Sequence, residues 1–465
     1  MLQDGDTYWH IAAGQWIIGH AAVPTSDPFS HTMQGAPWTA HEWLSETIFA
    51  LTWKAFGWGG LIALTAAAFA ATMAMLTRFL LKNLEPVHAL IFTALAVMMT
   101  APHLLVRPHA LAMPLLVLWT AQLVRGAERG RAPSYWMLPV MTLWANLHGG
   151  FTLGLALTLF FAVEGVLGAR RASEALVAVK SWSIFICLAV ASALLTPHGI
   201  QGILFTAHIM SGNYALDHIS EWQSPSFHLI QPLEIWLMAG LAIALHQGLR
   251  LPALRLLLLL ALLHLALKHM RSIELIGLLT PLFLAVPLAA QWRERTDTTR
   301  QLVHVDRIFL NLAGTASRRA TALMLAGLGL VTLVSVQTSA ALPPEDISPI
   351  TAIKTARKAA LNGPVLNEYS FGGYLVYAGI PPFIDGRADM YGDEFMKAYF
   401  DALDLTTSDG LQELLQKHHI EWTLLPPGSA AVAMLDHLPG WHRLYADRIA
   451  VIHVRSPAAA GERKP

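Results

Sequence analysis

The chain has 465 residues, of which 54% are hydrophobic and only 13% charged, whereas an average soluble domain carries about 25% charged residues. That deficit excludes an ordinary soluble globular protein and points to a membrane protein. Lys plus Arg equals Asp plus Glu at 31 each, so the basic excess of a nucleic-acid-binding chain is missing and no nucleic-acid partner is expected. The single cysteine, Cys187, lies in an apolar run and can form neither an intramolecular disulfide nor a metal site.

The first stretch, MLQDGDTYWH, has neither the charged nor the apolar region of a signal peptide. Residues 7–19, TYWHIAAGQWIIG, and residues 41–56, HEWLSETIFALTWKAF, read as helices lying at the outer membrane interface. The second is too short to span, and it carries Glu42, Glu46 and Lys54. Ten apolar segments approach the roughly 20 residues that a spanning helix needs: 59–81, 87–103, 108–125, 133–148, 150–168, 178–196, 229–247, 252–268, 272–290 and 320–338.

Cytoplasmic loops collect Lys and Arg, and this sets the orientation. Arg125, Arg129 and Arg131 share one loop, Arg170, Arg171 and Lys180 a second, and Arg250 and Arg255 a third. Arg293, Arg295, Arg300, Arg307, Arg318 and Arg319 share a fourth. If the spans alternate, all four loops fall on one side, while 197–228, which has no Lys or Arg, falls on the other. Residues 1–58 and everything after about 339 are then outside. An outside N-terminus needs a segment to translocate it, so a membrane helix encoded upstream of Met1 is expected.

After 343 the sequence turns polar and mixed. Strands are expected at 365–369, 382–386, 421–426 and 448–454, and helices at 347–361, 393–403 and 409–419. The expected fold is a polytopic α-helical membrane protein with a small C-terminal α/β soluble domain. Its divisions are 1–58, an outer loop with interfacial helices and an acidic motif; 59–340, the transmembrane domain; 341–456, the extracytoplasmic α/β domain; and 457–465, a disordered tail.

Ionisable groups near membrane depth are costly and mark function by default. Six clusters share the outer face. Asp4-Gly-Asp6 with His10 can bind a divalent cation or flank a reacting hydroxyl, and can equally cap a helix. His41-Glu42-Trp43 opens the second interfacial helix, where acidic residues also serve as ordinary caps. Arg107-Pro108-His109 sits at the outer mouth between two spans, where Arg can fork onto a phosphate or snorkel. Asn146-Leu147-His148-Gly149-Gly150 occupies a tight outer turn. Asp217-His218 and Glu221-Trp222 lie in the loop free of Lys and Arg. Lys268-His269-Met270-Arg271 is basic against the topological trend, which suits a phosphate held at the outer leaflet. In the C-terminal domain, Asp385-Gly386-Arg387-Ala388-Asp389 alternates charge in a loop that suits carbohydrate or forms surface ion pairs.

The N-terminal order D-x-D, W-H-I, then P-x-x-D-P-F-S, then W-x-x-H-E-W-L resembles the GT-C superfamily of membrane glycosyltransferases, nearest the bacterial branch like the aminoarabinose and mannosyl transferases. The resemblance is best over about 1–110 and looser to 340. It implies 10–11 transmembrane helices, a polyprenyl-phosphate sugar donor, a glycan, lipid or protein acceptor, membrane lipids around the chain, and a bacterial inner membrane with the C-terminal domain periplasmic. Asp4 or Asp6 would be the catalytic acidic motif and Glu42 its second acidic position. Arg107, Lys268 and Arg271 would contact the lipid phosphate by position, with His10, His41, His109, Asn146, His148, Glu221, His269, Asp385 and Arg387 as further substrate-binding candidates. No cofactor is required, and a Mg or Mn ion at Asp4 and Asp6 is compatible. A transporter or a non-catalytic scaffold of envelope assembly is the alternative, although no inverted repeat of the transporter kind is evident.

Overall fold

A computed structural model describes residues 1–210, 214, 219–295, 317–337, 343–344 and 347–456. Asp217, His218, Arg300 and Arg307 lie outside the described residues, as does the expected tail at 457–465. The chain forms two compact units. One holds residues 1–61 with the described part of 338–465, and the other holds most of 62–337.

The second unit is helical. Each of the ten predicted segments contains a helix, from Trp43–Leu81 through Pro86–Thr100, Pro108–Glu128, Leu138–Leu147, Phe151–Leu167, Ala172–Ala193, Pro232–Gln247, Ala253–Lys268 and Ile273–Arg295 to Arg318–Gln337. Among the described residues five are long and apolar enough to cross a membrane: Trp43–Leu81, Pro86–His103, Pro108–Glu128, Ala172–Ala193 and Met270–Trp292. Small residues let these helices approach, as expected where lipid is as apolar as the helix faces. The buried Trp182 ring, for example, packs in contact with both Gly126 and Gly165, where a Cβ would intrude on it. Trp119 donates from its indole nitrogen to the Gly154 carbonyl at 3.0 Å and the Thr158 hydroxyl at 3.1 Å.

Arg255 departs from expectation. Beyond the basic loop that its position suggests, it lies in the first turn of Ala253–Lys268, buried, and pairs with Glu128 and with Glu164 at 2.6 Å. It also donates to the Phe283 carbonyl at 2.9 Å. The two acids terminate other helices, so the charge that looked like a topology signal is used as an internal tie.

Trp43–Leu81 is broken at Gly57 (φ 59°, ψ −153°), a conformation that glycine adopts without the Cβ penalty. The break separates 43–56 from the span predicted at 59–81. Helix Asp6–His20 also differs from its expected interfacial form. Tyr8, Trp9, His10, Ile11, Ala12, Ala13 and Ile17 are all buried, and the exposed positions are Gln15, Ile18, Gly19 and His20. It is gripped on two sides: a Cβ on Gly14 would overlap the Glu46 carbonyl, and one on Gly373 would overlap the Gly5 carbonyl. The N-terminal residues are therefore part of the core of the C-terminal domain.

That domain has one four-stranded sheet. β1 (Val365–Asn367) pairs in parallel with β2 (Trp422–Leu425), β2 pairs antiparallel with β4 (Val451–Arg455), and β4 pairs antiparallel with β3 (Trp441–Ala446). Helices Ile350–Lys358, Asp393–Leu403 and Gly410–Lys417 match the expected ones. The strand expected at 382–386 is absent, and Trp441–Ala446 is a strand the pattern did not suggest. The reason lies in side-chain competition for the backbone. Asn367 accepts from the Phe383 amide at 2.7 Å and donates to the Ile384 carbonyl at 2.8 Å. On the far side, the His31 amide donates to the Pro382 carbonyl at 3.1 Å and the Thr32 hydroxyl to the Phe383 carbonyl at 2.5 Å. The segment's hydrogen bonds are taken before a ladder can form.

Candidate functional site

The first unit holds the acidic candidates. The Asp4 carboxylate accepts from the Asp6 amide at 3.1 Å, so it caps the helix that carries Asp6 and His10. Asp6 lies against the C-terminal loop, where a Cβ at Gly386 would overlap its Oδ1. Asp6 and His10 are one helical turn apart, as are Glu42 and Glu46 at the start of the facing helix, and residues at that spacing share a face. His10 Nδ1 is 3.6 Å from Glu46 Oε1 with both side chains buried, and His41 Nε2 is 3.6 Å from Glu42 Oε1.

Asp385 and Arg387 are buried, not displayed in a surface loop, with side-chain exposures of 0% and 1%. Arg387 forks onto Asp385 at 2.8 and 2.6 Å and donates to Asp27 at 2.6 Å. The guanidinium also stacks over Phe29 and Trp38, at 5.1 and 4.7 Å from the ring centres. Tyr391 donates to Asp385 at 2.9 Å. Burial alone would raise the Asp385 carboxyl, but the Arg387 charge and hydrogen bonds override it and hold its pKa below the usual carboxylate value. With their polar atoms spent on each other, these two side chains tie the 24–38 loop to the sheet domain and do not face a sugar. Asp27 is the acid of the P-x-x-D-P-F-S phrase, whose pattern by itself points to no role for it. It also takes the Phe29 and Ser30 amides, each at 3.0 Å.

The helical unit gathers a second group at the end opposite Arg255. Arg107 pairs with Glu221. His109 donates to the His103 carbonyl at 3.3 Å, lies 3.8 Å from Glu274, and has its ring centre 6.4 Å from that of His148. Arg271 stacks on Trp222 at 4.5 Å, and His269 Nδ1 meets the Trp222 carbonyl at 2.6 Å. Six of the candidates, Arg107, His109, His148, Glu221, His269 and Arg271, are thus brought together, and Glu274 joins them without having been anticipated. The Lys268 side chain is exposed, and its carbonyl accepts from Ser224 at 3.3 Å. Asn146 donates from its amide nitrogen to the Thr142 and Leu195 carbonyls at 2.8 and 3.0 Å, which staples two helix ends, and His148 Nδ1 accepts the Gly150 amide at 3.0 Å inside the turn.

Among the described residues no three of His, Cys, Asp and Glu converge as a metal-binding group. Asp4 and Asp6 would supply two carboxylates to a Mg or Mn ion, with other ligands coming from solvent or substrate.

The helical unit, together with the small sheet domain that encloses the N-terminal residues, has a fold known from solved structures. Two solved structures share it. One is the archaeal oligosaccharyltransferase AglB from Archaeoglobus fulgidus in complex with an inhibitory peptide and a dolichol-phosphate, with a TM-score of 0.54 at 11% identity over 91% of this chain and 65% of that one. The other is the Archaeoglobus fulgidus oligosaccharyltransferase in the apo form, with a TM-score of 0.55 at 11% identity over 91% of this chain and 66% of that one. The chain thus spans a little under two thirds of their lengths, and at this identity the likeness is one of fold. No protein-family model matches the sequence, and no curated protein matches it.

Proposed function

We propose that the protein is a bacterial inner-membrane glycosyltransferase that moves a sugar from a polyprenyl-phosphate donor to an acceptor hydroxyl or amide on the periplasmic side, with inversion. The observation that carries the reading is the GT-C-type fold over 91% of the chain. The acidic group on helix Asp6–His20 and the Arg107–Arg271 group support it.

Asp6 is the proposed base. It takes the acceptor proton as the acceptor's lone pair attacks the anomeric carbon, and the C–O bond to the phosphate breaks with its electrons leaving on the polyprenyl phosphate. Arg271, with Lys268 and Arg107, neutralises that phosphate. Stabilising developing charge in a dry site is usually the largest catalytic contribution. Arg107 is paired with Glu221, so its phosphate contact requires an exchange of partners, whereas Arg271 rests on a ring face. Glu42 is the second acid. Asp4 supports Asp6 by capping its helix, and a divalent cation at the two aspartates would add charge neutralisation.

The test is release of free polyprenyl phosphate from a panel of labelled polyprenyl-phosphate sugars by the purified protein in lipid. Asp6→Asn is expected to lower turnover by about 10²–10⁴-fold, the range for loss of a general base. Full turnover by that variant would refute the assignment of Asp6.

A further inference from the structure

Helix Pro108–Glu128 has an arginine at each end. Arg107 precedes its first residue and belongs to the proposed donor-phosphate group. Arg125 lies in its last turn, about 27 Å away at the helical rise. The Arg125 guanidinium rests over the ring of the buried Phe79, its Cζ 5.3 Å from the ring centre. Phe79 belongs to the last turn of Trp43–Leu81, which also carries Arg78, and Lys82 follows directly. Arg129 follows Glu128 in the same way. These cations share one place: Arg78 and Arg125 both act on Lys82, and Arg78 and Arg129 both act on Arg125. Among the described residues, every charge acting on Lys82 or Arg125 is a cation. The neighbouring acids are spent elsewhere, Glu128 on Arg255 and Glu85 at 3.8 Å from His88. A helix dipole favours a cation in the last turn, but that gives each helix end its own cation and does not bring two ends together. Like charges gathered this way repel one another unless an anion sits among them.

We infer that Arg78, Lys82, Arg125 and Arg129 form a binding site for the phosphate headgroup of an anionic phospholipid, separate from the proposed donor-phosphate group. Position commits the site to a lipid. The cations close two helices that are long and apolar enough to cross a membrane, so they lie at headgroup depth. Basic clusters between membrane helices hold anionic lipids at that depth. Tyr135 and Trp136, in the turn that follows Arg129 and Arg131, are each 52% exposed, as suits side chains that sit at the membrane–water boundary. Lys82 and Arg129 are exposed and can snorkel to the headgroup. Arg125, held by Phe79, supplies a planar fork that suits phosphate. The site does not depend on the glycosyltransferase reading.

Native mass spectrometry of the full chain from mixed micelles counts the bound lipids, with phosphatidylglycerol as the anionic probe and phosphatidylcholine as the zwitterionic one. Lys82→Gln/Arg129→Gln removes two cations whose side chains are exposed, so folding is not at stake. Arg171→Gln/Lys180→Gln removes two exposed cations from another basic loop and is the control. Each cation at such a surface is worth about fivefold in affinity, so the first variant is expected to hold phosphatidylglycerol about 30-fold more weakly than wild type. The control is expected to match wild type, and phosphatidylcholine to be held weakly by all three. Equal retention of phosphatidylglycerol by wild type and Lys82→Gln/Arg129→Gln would overturn the site, as would an equal loss in the control or equal retention of the two lipids by wild type. A last arm adds inorganic phosphate equimolar with the lipid and is expected to leave phosphatidylglycerol bound. Displacement by inorganic phosphate would assign the cluster to a soluble anion and overturn the lipid site.

Discussion

Replacing Arg387 with Met tests the claim that the N-terminal loop is held to the sheet domain by a buried charge network. Arg387 is 1% exposed and serves two carboxylates, Asp385 and Asp27, that are themselves fully buried. Methionine fills most of the volume and can still lie between Phe29 and Trp38, so the loss is electrostatic and not a cavity. Removing one partner of a buried pair destabilises by about 3–5 kcal/mol, because the other partner is left as an uncompensated charge. Two carboxylates lose their cation here, which places the total near the upper end of that range. For a unit of this size about 2–4 °C is lost per kcal/mol, so the transition of the first unit should fall by roughly 10–20 °C. Unfolding in detergent, followed by tryptophan fluorescence with limited proteolysis of the 24–38 loop, measures this.

The pH dependence carries a sharper sign. In the wild type the folded Asp385 pKa is depressed, so its contribution is present above the unfolded carboxylate value, about 3.9, and is lost as pH falls through the folded value. In Arg387→Met the guanidinium charge and its side-chain hydrogen bonds to Asp385 are lost, only the residue-387 amide and Tyr391 still donate to it, and burial, the largest influence on this carboxyl, raises the folded pKa. A raised carboxyl contributes stability below its unfolded value and loses it as pH rises through the folded one. The variant should therefore gain stability on acidification from neutrality, while the wild type gains nothing from Asp385 over the same window. A variant within about 1 kcal/mol of wild type, or one that weakens further on mild acidification, would refute the network.

Two further perturbations separate the site from its scaffold. Gly386→Ala places a methyl on the Asp6 carboxylate, so it should reduce donor turnover well beyond its effect on unfolding, about 1–3 kcal/mol for an overpacked position; an active, normally stable variant would mean that Asp6 does not need that wall. Arg255→Met leaves the largely buried Glu164 and the Phe283 carbonyl without their donor, while Glu128, at 38% exposure, stays solvated; it should destabilise the helical unit by about 1–3 kcal/mol in a thermal scan, while proteolysis of the 24–38 loop stays unchanged.

The membrane helices were legible because lipid demands a run of about 20 apolar residues, and that demand is met locally. The polar ends of those helices were legible for the same reason: Arg107, His109 and Arg271 each interrupt an apolar pattern. What the sequence did not show of Arg255 is its pairing, because a buried arginine held by two glutamates of other helices has, in its own segment, the same pattern as an unpaired loop charge. What no local pattern holds is the merging of residues 1–61 with the C-terminal domain. Its ties run from Tyr8 to Ser348, His31 to Val365, Thr32 to Phe383 and Asp27 to Arg387, all more than 330 residues apart. The same ties turned the expected strand at 382–386 into an irregular segment, since Asn367 and the loop at 31–32 took its backbone groups.

One sign was nonetheless present in the sequence. Asp27 in Ser-Asp-Pro-Phe-Ser makes a side-chain turn with the amides of Phe29 and Ser30, and asparagine forms such turns as readily. A turn alone gives no reason for the charge. A charged residue where a neutral one folds equally well implies a cation elsewhere in the fold, and the phrase Asp385-Gly386-Arg387, with an arginine only two residues from its own aspartate, supplies a guanidinium with donors beyond those one carboxylate can use. The charge of Asp27 is explained only when both phrases are considered as halves of one buried network, and that network is what places Gly386 against Asp6. The acidic site therefore depends on the C-terminal domain for its wall, so removing residues 343–465 would strip the site itself as well as any acceptor contacts the domain provides.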